Sequence, residues 1–158
     1  MGVSGCGKTT VGRALADQLE WTFIESDDFH SQSDIRKMTQ AIPLTDDDRW
    51  PWLQHLNRRI KEAQRRGENV VLACSALKQS YRQLLHQGIN NGVFVYLKGS
   101  YDVIFERMAT RHHFMKNNML QSQFDDLEKP ENALIVDIQQ PVEDITQQIM
   151  RGFHLASP

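Results

Sequence analysis

The eight residues from Gly2 to Thr9 constrain this chain more than any other stretch. GVSGCGKT matches the phosphate-loop pattern G-x-x-x-x-G-K-[ST] at every fixed position. Its glycines permit backbone conformations in which successive N–H groups point inward around a triphosphate. Lys8 is placed to reach the outer phosphates, Thr9 offers a hydroxyl to Mg²⁺, and the helix beginning near Lys8 directs its positive end at the anion. The predicted nucleotide-binding residues are Gly2, Val3, Ser4, Gly5, Cys6, Gly7, Lys8, Thr9 and Thr10. A glycine-rich turn that binds nothing is the alternative.

A phosphate loop normally follows a buried strand, yet only Met1 precedes Gly2 in this sequence. We therefore expect the fold to lack its first strand. Such a strand is apolar on both faces, and losing several buried side chains costs on the order of 10 kcal/mol, as much as the stability of a typical domain. The expectation is either a chain recorded without its natural beginning or a shortened form whose folding and activity are in question.

Size and composition predict one globular domain over residues 1–158, with 40% hydrophobic residues for its core. The net charge of −2, with no basic tract, predicts no nucleic-acid partner. No apolar run approaches the length that spans a bilayer, so we expect a soluble protein with no membrane partner. The two cysteines, Cys6 and Cys74, match neither a disulfide framework nor a zinc motif, which favours the reducing cytoplasm.

Strand patterns alternate with helix patterns along the chain, which predicts an α/β fold. Apolar, β-branched runs fall at residues 21–25, 69–74, 93–97 and 133–137, and each is followed by a segment with helical spacing of apolar residues. This alternation is typical of a parallel sheet between two layers of helices, a three-layer sandwich. Small phosphotransferases and regulatory switches both fit this description.

Acidic residues follow the first predicted strand, where ligands bind in open α/β sheets. Asp27 is placed either to bind Mg²⁺ or to take a proton from a substrate hydroxyl, and His30 projects from the same edge. The alternative is that Asp27 or Asp28 caps a turn or a helix.

Several cations are candidate anion contacts. Arg49 is either the partner of Asp46, Asp47 and Asp48, which suit a helix start, or an anion clamp. Lys78 and Arg82, four residues apart on a helix, are placed either to grip a carboxylate or to remain solvated. Arg107 and Arg111 share a face at the base of a polar segment, where they would close over phosphates and neutralise developing charge.

A set of short segments, spread over nearly the whole chain, carries a family resemblance. The segments are Gly2-Val3-Ser4-Gly5 with Lys8-Thr9, Asp27-Asp28-Phe29-His30, Lys37-Met38, Pro43-Leu44-Thr45-Asp46, Asp48-Arg49, Pro51-Trp52-Leu53, Cys74-Ser75-Ala76-Leu77-Lys78, Tyr81-Arg82, His113-Phe114-Met115, Ser122-Gln123-Phe124, Leu127-Glu128 and Asp137-Ile138. With them the chain resembles the gluconokinases, ATP-dependent carbohydrate kinases that make 6-phosphogluconate. The blocks around Pro51-Trp52-Leu53 and Cys74-Ser75-Ala76 are far more specific than the phosphate loop.

The resemblance implies a P-loop NTPase fold of the nucleoside-monophosphate-kinase type, binding ATP, Mg²⁺ and gluconate. It implies a substrate-binding segment at about 27–53 and a flap at about 107–128. Asp27 orients or deprotonates the sugar hydroxyl and joins Thr9 at the metal. The residues implied to contact the acceptor are His30, Lys37, Arg49, Lys78 and Arg82. The catalytic set is Lys8, Asp27, Arg107 and Arg111.

The resemblance also suggests a homodimer. At a few positions the sequence departs from the family pattern. Ser26 and Ala41 stand where we expect glycine, and Lys116 and Asn117 follow Met115 where proline is common. Two alternatives stay open: another small-molecule kinase of the shikimate type, and a catalytically silent shortened form that binds nucleotide.

Overall fold

Helices and strands alternate along the chain, as the sequence predicts. The computed structural model describes residues 1–110 and 117–156. The helices of this part are α1 (Lys8–Leu19), α2 (Gln32–Thr39), α3 (Asp46–Arg65), α4 (Gln79–His86), α5 (Tyr101–Thr110), α6 (Asn117–Asp125) and α7 (Val142–Gly152). The strands are β1 (Thr22–Glu25), β2 (Val70–Ala73), β3 (Val95–Lys98) and β4 (Leu134–Asp137). None of the described helices is both long and apolar enough to cross a membrane.

The strands pair in parallel, which confirms the predicted parallel arrangement. β1 pairs with β2, and β3 pairs with β4. Residues 1–2 lie between the two pairs, because the N–H of Leu97 donates to the carbonyl of Met1 at 3.0 Å and the N–H of Gly2 donates to the carbonyl of Ser75 at 3.1 Å. The order across the molecule is therefore β1, β2, residues 1–2, β3 and β4. The phosphate loop starts at the centre of this arrangement.

Two hydrophobic clusters cover opposite faces of the strands. Val71 packs against one cluster, and its neighbours Val70 and Leu72 pack against the other. Since alternate residues of a strand point to opposite faces, the clusters form separate layers. The first cluster draws on α1, α5 and α7, and the second on α3 and α4. This is the predicted three-layer sandwich.

Side-chain caps fix where the helices next to the predicted substrate segment begin. Ser31 accepts from the N–H of Asp34 while the Asp34 carboxylate accepts from the N–H of Ser31, and Thr45 and Asp48 form the same reciprocal capping box at α3. The prediction that aspartates mark the start of this helix is therefore confirmed. In contrast, α6 falls inside the predicted flap, where the polar sequence did not predict a helix.

Candidate active site

The phosphate loop bends through left-handed backbone conformations at its glycines. Gly2, Gly5 and Gly7 have φ values of +142°, +79° and +97°. A Cβ on Gly5 would lie 2.6 Å from Cγ of Met108, so this position also needs glycine for space. Gly7 directly precedes α1, which places the positive end of the helix at the loop. The loop therefore has the backbone geometry that a polyphosphate site requires.

Side chains anchor the loop from both sides. Val3 and Cys6 are buried in the hydrophobic core, with 2% and 1% of their surface exposed. The ammonium of Lys8 donates to the carbonyl oxygens of Gly2 and Val3, at 3.1 and 3.0 Å. Gly2, Val3 and Cys6 thus support the loop, while the residues that line the adjacent cavity are Ser4, Gly5, Gly7, Lys8, Thr9 and Thr10.

Oxygen atoms suited to a magnesium ion meet at the start of α1. The hydroxyl of Thr9 donates to the carboxylate of Glu25 at 2.7 Å, and Asp27 lines the same cavity. Mg²⁺ prefers oxygen ligands and commonly uses one or two protein groups together with phosphates and water, so the donor set fits this ion. Among residues 1–110 and 117–156, no group of three or more His, Cys, Asp or Glu side chains is placed to hold a metal by itself.

Glu25 lines the cavity and was not among the residues predicted from the sequence. It is the last residue of β1, and the carboxyl end of a strand is where ligands bind in α/β sheets. That position was the signal available in the sequence.

One cavity of about 730 Å³ joins the phosphate loop to the predicted substrate segment. Lys8 and Asp27 both line it, as do His30, Arg49 and Arg107. A cavity of this size accommodates a small polar acceptor beside a nucleotide's phosphates.

His30 forms the floor of the acceptor side. Its ring stacks on Trp52 with centroids 4.3 Å apart, and the Trp52 indole N–H donates to the Ser26 carbonyl at 2.8 Å. The His30 side chain is 6% exposed, and its Nδ1 is buried without a hydrogen-bond partner. Burial lowers the pKa of His30, and the carboxylates of Asp27 and Asp34, each 3.9 Å away, offset part of that effect. The imidazole is therefore neutral near pH 7.

A charge cluster made of Asp46, Arg49, Lys78, Tyr81 and Asp126 closes the acceptor side. One guanidinium nitrogen of Arg49, Nη1, donates to the Tyr81 hydroxyl at 2.9 Å and to Asp126 at 3.1 Å. Asp46 accepts from Lys78 at 2.9 Å and from the Tyr81 hydroxyl. Burial alone would lower the pKa of Arg49, but its bonds to Tyr81 and Asp126 outweigh burial and raise it. The hydrogen bond from Lys78 lowers the pKa of Asp46. The members of the charge cluster are therefore hydrogen-bonded to one another.

Three residues predicted to contact the acceptor are not among the described residues that line the cavity. Lys37 is bound to Asp48 at 2.6 Å, and this bond lowers the pKa of Asp48 to about 2. Lys78 is bound within the charge cluster. Arg82 is buried and donates through Nη1 to the carbonyls of residues 76 and 77, at 3.0 and 2.7 Å. These cations already bind nearby oxygens in the described structure, and their contact with an acceptor stays a prediction.

The predicted flap contributes Arg107 and, in α6, Gln123. Arg107 lines the cavity and donates from Nη2 to the carbonyl of Ile138 at 2.7 Å. Gln123 accepts from the N–H of Ser4 at 2.6 Å. Arg111 lies outside the described residues. Asp126 and Gln123 were not among the predicted site residues, and the quoted Ser122-Gln123-Phe124 segment was the available signal for the latter.

A phosphate loop within a parallel α/β sandwich, sharing a cavity with charged acceptor-side residues, defines a P-loop kinase. A family model described as shikimate kinase matches residues 4–152. The thermoresistant gluconokinase of Escherichia coli (strain K12) is 45% identical over 150 residues, covering 92% of this chain and 86% of that one. The crystal structure of a gluconokinase from Sinorhizobium meliloti 1021 matches with a TM-score of 0.89 and 46% identity, covering 98% and 89% of the two chains. The chain belongs to the gluconokinase family.

A more distant solved structure shows how widely the fold is shared. An APS kinase from Mycobacterium tuberculosis matches with a TM-score of 0.71 at 14% identity, covering 96% of this chain and 92% of the other. At that identity the match supports the P-loop kinase fold alone.

Proposed function

We propose that this chain transfers the terminal phosphate of ATP to D-gluconate and forms 6-phosphogluconate. The observation that carries the proposal is the single cavity lined by Lys8 of the phosphate loop and by Asp27, His30 and Arg49 of the acceptor side. The family membership supports the choice of acceptor. A sugar acid combines hydroxyl groups with a carboxylate, which suits a wall made of a neutral imidazole, a carboxylate and a guanidinium.

The nucleotide side supplies charge and position. The loop amides and Lys8 bind the phosphates, and Arg107 and Arg111 neutralise charge that develops on the transferred group. Thr9, Glu25 and Asp27 would hold Mg²⁺, which supplies further charge neutralisation when bound. In-line phosphoryl transfer requires little covalent assistance, so positioning accounts for most of the acceleration.

The acceptor side orients the attacking hydroxyl. Asp27 accepts the hydroxyl hydrogen bond and takes its proton, while His30 binds a second hydroxyl with its imidazole ring. Arg49 lines the cavity, and its planar guanidinium binds the carboxylate. Lys37 and Arg82 support these groups by fixing α3 and the turn after β2.

The proposal includes the protein's organisation. Residues 1–158 act as one kinase domain, with a substrate segment at about 27–53 and a flap at about 107–128. We place the enzyme in the cytoplasm, where ATP is available and where the buried free thiols of Cys6 and Cys74 stay reduced. The family resemblance suggests a homodimer, and light scattering during gel filtration tests it by giving twice the mass of one chain.

The test is acceptor-dependent ADP release by the wild type, measured over a panel containing gluconate, other sugar acids and shikimate. We expect gluconate to stimulate release most strongly. Preference for shikimate would favour the shikimate-type alternative, which the family model's description motivates. Absence of stimulation by every acceptor would favour a silent nucleotide-binding form.

Replacing Asp27 tests the catalytic assignment. Asp27→Asn should lower kcat by about 10²- to 10⁴-fold, the usual effect of removing a general base, with ATP affinity nearly unchanged. Asp28→Asn is the matched control, because Asp28 is the adjacent carboxylate and is exposed like Asp27, but it is not among the residues that line the cavity. Unchanged turnover in Asp27→Asn would remove Asp27 from this role.

A further inference from the structure

The helix α6 and the turn after it contact both sides of the cavity. Gln123 reaches the phosphate loop, and Asp126 reaches Arg49. Asp126 continues the helical bonding, since its N–H donates to the carbonyl of Ser122 at 3.0 Å. Residues three apart in a helix lie on one face, so the two side chains extend from the same side of this segment.

Gln123 fixes one peptide unit of the loop. The N–H of Ser4 donates to the Gln123 side-chain oxygen at 2.6 Å. The carbonyl of the same peptide, that of Val3, accepts from Lys8 at 3.0 Å. The peptide plane between Val3 and Ser4 is thus held at both ends, and its orientation sets where the Lys8 ammonium lies.

Asp126 fixes the guanidinium of Arg49 in a comparable way. Asp126 and Tyr81 share Nη1 of Arg49, and within residues 1–110 and 117–156 no hydrogen bond involves its Nε or Nη2. The end of the segment is secured on this side, because the N–H of Glu128 donates to the carbonyl of Leu77 at 3.1 Å and the Glu128 carboxylate accepts from the N–H of Gln79.

We propose that Gln123 and Asp126 are positioning residues that act on different substrates: Gln123 orders the phosphate loop for the nucleotide, and Asp126 orients Arg49 for the acceptor's carboxylate. This inference rests on the proposed function for its acceptor half. Neither residue takes part in the chemical step. A single rigid segment thereby aligns the donor and acceptor subsites.

The same helix offers matched control substitutions. Gln121 and Asp125 are exposed on α6 and bind each other at 2.8 Å. The test compares Gln123→Ala with Gln121→Ala, and Asp126→Asn with Asp125→Asn, through KM for each substrate, kcat and melting temperature. A hydrogen bond of ordinary strength corresponds to about a three- to tenfold change in affinity.

Gln123→Ala should raise KM for ATP about three- to tenfold and leave KM for gluconate within about twofold. Asp126→Asn should raise KM for gluconate about three- to tenfold and leave KM for ATP within about twofold. Both controls should have the KM values of the wild type. If Gln123→Ala lowers the melting temperature more than its control does, Gln123→Met, which keeps the side-chain length, replaces it. Equal changes in both KM values, or tighter acceptor binding by Asp126→Asn, would overturn the proposal.

Calorimetric titration with ATP separates this inference from the proposed function. If wild type binds ATP but does not phosphorylate gluconate, the proposed function fails, and the titration decides the inference. Weaker ATP binding by Gln123→Ala together with unchanged binding by Asp126→Asn would then support it. Equal ATP binding by Gln123→Ala and the wild type would overturn it.

Discussion

The nucleotide side and the acceptor side of the cavity are built on different principles. The nucleotide side is a contiguous stretch in which backbone shape does most of the work, with positive φ at Gly2, Gly5 and Gly7 and a helix start at Lys8. The acceptor side gathers side chains from distant parts of the chain: Arg49 and Asp126, for example, are 77 residues apart. The contrast teaches that a site defined by the backbone is visible in a short motif, whereas a site defined by side-chain pairing depends on the complete fold.

The largest loss of stability should come from a substitution in the phosphate loop, the side of the cavity that depends on backbone conformation. Gly5→Ala places a side chain at φ +79° and brings its Cβ within 2.6 Å of Met108 and 3.1 Å of Ile104. Left-handed strain and overpacking together should lower the free energy of unfolding by about 2 to 4 kcal/mol. ATP affinity should fall as well, because the backbone of the loop must move to relieve the contact and its N–H groups then no longer match the phosphates. Denaturant unfolding measures the stability, and ATP titration measures the affinity.

Gly67→Ala is the control for Gly5→Ala. Gly67 has φ +74° at the end of α3, but a Cβ there meets nothing within 4 Å. The strain alone should cost about 1 kcal/mol, with ATP affinity unchanged. Equal losses in the two variants would mean that the contact with Met108 is unimportant.

The next largest effect should be on gluconate binding, after a substitution on the acceptor side, which depends on side-chain pairing. Arg49→Lys retains the charge but removes the planar guanidinium, which lines the cavity and binds Tyr81 and Asp126 through one nitrogen. We expect KM for gluconate to rise about tenfold or more, and KM for ATP to change little, in steady-state kinetics. Arg59→Lys, at an exposed Arg59–Glu62 pair, is the control. Normal gluconate kinetics in Arg49→Lys would exclude fork recognition.

The fold and the nucleotide side were predictable because local patterns carry them. The apolar run at residues 69–74 and the apolar spacing of α1 predicted a parallel α/β sandwich, and the loop motif predicted the phosphate site. The predicted clustering of aspartates at the start of α3 was confirmed, since Asp48 completes the capping box. These features depend on residues close together in sequence.

The pairing of charges was not predictable, because it depends on which elements meet. Lys37 and Arg82, for example, bind Asp48 and two backbone carbonyls, partners that the sequence did not indicate. Ser26 and Ala41 were both expected to replace a glycine. Ala41 does have φ +56°, whereas Ser26 begins a 3-10 turn and does not need a glycine conformation.

His30 offers a pH test of the side-chain-defined half. Since burial lowers its pKa below the ordinary value of 6.5, the unfolded chain binds more protons than the folded chain as the pH falls below that value. The free energy of unfolding contributed by His30 should therefore decrease from about pH 6.5 downward, until folded His30 is itself protonated. We expect wild type to lose more stability between pH 7.5 and 5.5 than His30→Gln in urea denaturation. Parallel pH profiles would show that His30 does not titrate differently on folding.

The smallest effect should come from backbone strain within the acceptor side. Ala41 lines the cavity in the left-handed region, where a Cβ is unfavourable. Ala41→Gly removes that strain but adds freedom to the unfolded chain, so the free energy of unfolding should rise by only about 0.5 to 1 kcal/mol. The control is Ala14→Gly in the middle of α1, where the same substitution should cost about 1 kcal/mol. If thermal denaturation shows that Ala41→Gly is stabilised and Ala14→Gly is destabilised, backbone strain also lowers the stability of the acceptor side. If both variants are destabilised, the conformation of Ala41 carries no strain.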